Sequence, residues 1–209
     1  MKALLLFAVA IAALAPGCHC HIPGHWWDLT TAEAVEYMQR MKDTFEAVAN
    51  ETLFETENLL QQLDKVKSYD ELIQIRDHFS HVLDLLITYN KDKDYDTPRN
   101  WIMFQRDHCR DWSMIHEYDK GLSNLNFVNW NVVPECMSRA KIVKERVSDA
   151  QTEWMGKDAY HLQAWLNMNT QAINFASWFA RRNSDRFMDE AIIHVKKAEE
   201  VGRKPPPFV

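Results

Sequence analysis

The sequence predicts an all-α protein, a single-domain bundle of about six amphipathic helices with one disulfide, and three observations predict it. Glycine is scarce, five in 209 residues, so a turn-rich β protein is disfavoured. Long stretches run without proline. Apolar side chains recur at steps of three and four, the period of a helix with one buried face, where a strand would alternate.

The elements follow in chain order. Lys2 precedes an almost unbroken apolar run, Ala3 to Ala15, followed by Pro16 and Gly17. A short basic start and about a dozen apolar residues make the pattern of a secretory signal peptide, too short for the roughly 20 residues that a bilayer span needs. The signal segment is residues 1–20, with small residues allowing cleavage after Gly17 or after Cys20. The helical domain is 21–202, and 203–209, with three consecutive prolines, is an extended tail.

Thr30 with Glu33 forms a capping box that opens the first helix. Val35, Met38, Phe45, Val48, Thr52, Thr56, Leu59, Leu63 and Val66 then continue one apolar face. Ser68 with Glu71 repeats the capping signal and starts a second helix to about Asn90, whose stripe is Leu72, Ile75, Phe79, Val82, Leu83 and Leu86. Thr97-Pro98 starts a third, with Trp101, Phe104, His108, Trp112 and Ile115 on one face and Gly121 as terminator. The Asn-rich segment 122–133 reads as the longest loop.

Pro134 opens a fourth helix carrying Cys136, Ala140, Val143, Val147, Ala150 and Trp154, which Gly156 ends. A fifth begins at Asp158 and buries Leu162, Trp165, Leu166, Ala172, Ile173, Ala176 and Phe179. A sixth begins after Ser184, buries Phe187, Ala191, Val195 and Ala198, and ends at Gly202. No internal repeat is visible.

Apolar residues are 46% and charged residues 26%, ordinary globular usage that supports a packed core. Net charge is -6 without a basic stripe, which removes nucleic acid as a partner. No later segment is apolar enough to span a membrane. In an exported chain Cys109 and Cys136 pair as a disulfide, stapling the long loop to its neighbours. Asn50-Glu51-Thr52 is the one Asn-x-Ser/Thr sequon and can be glycosylated, since Asn50 lies away from the apolar face.

Three histidine clusters invite a metal reading. Asp77, His78, His81 and Asp84 share helical spacing, but they lie off the apolar stripe, as a solvated face does. His108, flanked by Asp107 and Asp111, falls among the tryptophans of the third helix and reads as a buried histidine with a hydrogen-bond partner. His19, His21 and His25 join Cys18 and Cys20 as metal ligands only if cleavage follows Gly17. No nucleophile elbow, zinc-protease helix or phosphate loop is present. No catalytic, metal or cofactor-binding residue is assigned.

Eight tryptophans exceed ordinary usage. Trp101, Trp112, Trp154 and Trp165 fall on buried stripes and Trp178 on a stripe edge. Trp26, Trp27 and Trp130 lie outside the expected helices, where rigid aromatics serve as partner contacts or fold back as lids. The resulting expectation is a secreted protein that binds an extracellular protein partner non-covalently, as a signalling ligand or modulator. A carrier of an apolar small molecule such as a lipid stands second, with nine methionines as adaptable lining, and a metal-dependent enzyme third.

Overall fold

The computed structural model describes residues 25–91, 94–153 and 159–204, with the backbone alone at 89–91, 147–153 and 159–161. The signal segment, Cys18, Cys20, His19, His21, Trp154, Gly156 and residues 205–209 lie outside the described residues.

Among the described residues the chain is helical, with no strand. A short 3-10 turn at Trp26–Asp28 precedes α1 (Thr31–Leu63), α2 (Tyr69–Lys91), α3 (Asp96–His108), α4 (Trp112–Phe127), a π turn (Val128–Val132), α5 (Val133–Glu153) and α6 (Ala159–Gly202). The π turn joins α4 to α5 without a break, so the continuous helices are five instead of the six expected.

Local chemistry starts the first two where the sequence says. Thr30 Oγ1 accepts from Glu33 N–H at 3.3 Å, and Glu33 Oε2 accepts from Thr30 N–H at 2.8 Å. Ser68 Oγ accepts from Glu71 N–H at 3.3 Å. At α3 the cap is Asp94, three residues before Thr97: its Oδ1 accepts from Asp96 N–H and Thr97 N–H, both at 3.1 Å.

Cross-helix pairs set the topology. α1 runs antiparallel to α6, since Lys42 Nζ meets Asp189 at 2.7 Å and Arg181 meets Glu46 at 3.1 Å, while Gln163 donates to the Leu63 carbonyl. α4 is also antiparallel to α6, with Glu117 against His194 and Phe127 against Phe187. α2 and α3 lie end to end along α1: His78 reaches Glu55 at 3.2 Å, and Trp101 Nε1–H donates to the Leu29 carbonyl at 2.9 Å. The result is a bundle of four rods, α1, α2 with α3, α4 with α5, and α6, in up-down-up-down order.

The core between the rods is closed by Met38, Phe45, Leu59, Phe79, Leu83, Trp101, Leu125, Leu166 and Ile173. Thr52, Thr56, Asn169 and Thr170 are buried too, each donating to a carbonyl of its own helix four residues back, whereas the buried Ser177 Oγ and Arg76 Nη1 have no hydrogen-bond partner among the described residues.

Several expectations are corrected. Segment 122–133 is helical, with Leu122, Leu125, Val128, Val132 and Val133 buried; its asparagines simply face outward. Gly121 ends nothing. It sits where α4 presses on α6, and a Cβ there would stand 3.3 Å from the Ala191 carbonyl oxygen. The third helix breaks at Cys109–Asp111, where Asp111 caps α4 by accepting from Ser113 N–H at 2.8 Å. The fifth and sixth helices are one 44-residue helix, about 66 Å long, because 181–186 contains neither glycine nor proline and its charges find partners outside the core.

The expected Cys109–Cys136 disulfide is not formed; both are free thiols. Cys109 caps the end of α3 before α4 begins, and Cys136 lies beyond the π turn of the same rod. At about 1.5 Å per residue the rod from Trp112 to Cys136 runs roughly 36 Å, whereas bonded cysteines need Cα atoms within about 7 Å. Only a flexible loop at 122–133 would have brought them together.

Candidate interaction surface at Trp130

The π turn is the local irregularity that shapes this surface. Val133 N–H donates to the Val128 carbonyl, one residue further back than an α-helix requires. Val128 and Val132 both stay in the core, and the widened turn between them carries Asn129, Trp130 and Asn131 outside. Such insertions concentrate at functional sites. Trp130 is 63% exposed, the opposite of what a large aromatic does when packing is its only role.

Two neighbours make it a patch. Phe127, 39% exposed, stacks on Phe187 of α6 with ring centroids 4.2 Å apart, and the Arg186 guanidinium lies 5.4 Å over the Phe187 ring. Together with Asp119, Ser123 and Asn126 these rings line an open hollow of about 520 Å³. Asn126 is held by Arg99, whose Nε–H donates to it at 3.2 Å, and Asp119 faces Arg106 at 3.4 Å. Aromatic floor and amide or carboxylate rim is the chemistry of a protein-binding hot spot: apolar area at low entropy cost, with polar groups that fix register.

Trp26 and Trp27 do not join it. Trp26 folds back, half-buried, edge-on to Phe104 of α3 at 5.9 Å, as a lid over the α1 and α3 side. Trp27 remains exposed, stacked on His25 at 4.2 Å. The Trp130 hollow lies between α4 and α6.

The histidines disperse. His78 turns to Glu55, Asp84 is taken by Lys144 and Asp77 by Arg76. His108 is exposed, against expectation, and its Nδ1 lies 2.8 Å from the Phe104 carbonyl; the helix ends there and leaves that face uncovered. Among the described residues no three His, Cys, Asp or Glu side chains converge on a metal position. Burial pushes the Cys136 thiol up to about 12, so it stays protonated. Asn50 is exposed on α1.

Two aromatic readings are corrected as well. Trp112 is 83% exposed at the start of α4, and Phe179 is exposed on α6. Both lie at helix positions that periodicity marks as apolar, but no neighbouring rod covers them. The partners of Trp130 escaped sequence reasoning because Phe127 and Phe187 are sixty residues apart and meet only through the antiparallel packing of α4 on α6.

No family model matches the chain, and no curated protein or solved structure matches it.

Proposed function

We propose that the chain is an exported helical-bundle protein that acts by binding an extracellular protein through the aromatic hollow around Trp130. The observation that carries this reading is the outward placement of Trp130 on a π turn beside the stacked Phe127 and Phe187. Export rests on the basic and apolar pattern of residues 1–20. A signalling ligand and a modulator both fit a bundle that presents one such anchor.

The test uses the purified chain and its Trp130→Ala variant, immobilised and presented with extracellular fluid from the producing organism. A protein retained saturably by the parent and at least about tenfold less by the variant supports the reading, since hot-spot truncations cost about 2 kcal/mol or more. Equal retention by both, or none by either, rejects it. Expression of residues 1–209 in secreting cells, with the product found in the cell pellet alone, rejects the export half.

A further inference from the structure

The seam between α1 and α6 holds one more carboxylate than it can pair. Lys42 and Glu46 of α1 meet Arg181, Asp185 and Asp189 of α6 there. Lys42 Nζ is taken by Asp189 at 2.7 Å, and Arg181 Nη2–H donates to Glu46 at 3.1 Å. Asp185 is left over. Its Oδ2 lies 3.7 Å from Arg181 Nε, beyond hydrogen-bond reach, and its Oδ1 is buried with no hydrogen-bond partner among the described residues. That oxygen has lost water without gaining a donor, and an ionised carboxylate has no hydrogen of its own to offer its neighbours.

No other group makes up the difference. On this stretch of α1, Arg40 is taken by Glu36, and Asp43 is exposed and accepts from Gln39 at 2.7 Å. On α6 itself Arg186 turns to Glu190 and Arg182 to the Trp178 ring. The rod on the other side of α6 reaches this level where Phe127 meets Phe187, and it has no titratable residue between Lys120 and Glu135. The rod of α2 and α3 lies diagonally across the core. Burial first, and then repulsion from Glu46, push the Asp185 carboxyl above the usual carboxylate range against the pull of Lys42 and Arg181.

We propose that Asp185 is a proton-operated latch on the α1–α6 seam, which closes more firmly when Asp185 takes a proton and is held against charge repulsion when it does not. The protonated carboxyl carries no charge to repel Glu46 and Asp189, and it has an O–H to donate. Asp185 holds its proton more tightly in the fold than in the unfolded chain, where an aspartate titrates near about 3.9. Its contribution to stability is therefore complete below that unfolded value and is lost as pH rises through the higher folded one. A carboxylate with a full set of partners does the reverse. The latch is independent of the Trp130 hollow, which lies between α4 and α6.

The experiment is urea unfolding of the purified chain and of Asp185→Asn, whose neutral amide stands in for the protonated acid, at a series of pH values from about 4 to about 7. At the neutral end the variant's unfolding constant is expected to be at least about threefold smaller than the parent's, and the gap should close towards the acid end. Glu46→Gln, which removes the strongest repulsion, should shrink the gain that Asp185→Asn brings. In the parent, the Asp185 carboxyl carbon followed by NMR should titrate above about 3.9. A variant no more stable than the parent at neutral pH overturns the proposal, as does a gap that stays constant with pH. A carboxyl that titrates at or below about 3.9 overturns it too, and this measurement on the parent decides alone if Asp185→Asn does not fold.

Discussion

Glu117 Oε2 lies 2.6 Å from His194 Nδ1, a half-buried link that ties the second turn of α4 to the last third of α6. The bond from His194, and then the charge of Lys120, hold the Glu117 carboxyl below the usual carboxylate range against the opposing cost of burial. A carboxylate with a lowered folded-state pKa stabilises the fold above its unfolded pKa, about 4.3, and loses that contribution as pH falls through the lower folded value. Glu117→Gln should therefore cost about 1 to 2 kcal/mol at neutral pH, and the gap between parent and variant should close below about pH 4. Thermal midpoints of both proteins across that range check it; a gap independent of pH refutes it.

Gly121 is a packing residue. A β-branched side chain there meets the Ala191 carbonyl oxygen and Val195 Cγ2, already 3.3 and 3.4 Å from an ideal Cβ, and backbone of a long packed helix does not yield. Gly121→Val should destabilise the bundle by about 2 kcal/mol, read as a shift of the urea midpoint with an unchanged slope.

Phe79 and Trp112 both follow an apolar period, yet one is fully buried and the other 83% exposed. Phe79→Ala should cost about 3 to 5 kcal/mol, and Trp112→Ala less than about 0.5 kcal/mol. Chemical denaturation of the two variants separates them, and comparable losses would mean that Trp112 is covered in solution.

The cysteines give a chemical test of the rod. Cys109 is half-buried, while Cys136 is buried with its thiol pushed up to about 12. A thiol reagent near pH 8 should label Cys109 within minutes and Cys136 only after denaturant is added, since the thiolate is the nucleophile. Recovery of a peptide linking Cys109 to Cys136 would show that residues 122–133 loop back.

Much of this was legible in the sequence. The capping box at Thr30 works at the residues where it is written, Ser68 caps α2 while Glu71 reaches back to the Lys67 N–H instead of the Ser68 one, and the stripe of α2 is buried from Leu72 to Leu86. Trp130 stood out because its surroundings read as a loop; its exposure is found on a π turn between two helices instead. The histidine at 108 and the phenylalanine at 179 were misread, because periodicity reports which side of a helix is apolar and says nothing of whether a neighbour reaches that level.

By itself, then, the sequence determined that the chain is helical, where α1 and α2 begin and which of their faces turn inward. Those properties depend on hydrogen bonds and side chains within a turn or two of each other. Tertiary structure alone decided that 122–133 continues as helix, that α6 runs unbroken past Ser184, that Cys109 and Cys136 stand far apart, and that Phe187 meets Phe127 in the hollow that Trp130 lines. Each of these depends on which rod lies alongside, and burial against a distant rod outweighs the weak local preference of asparagine-rich or charged stretches to leave a helix.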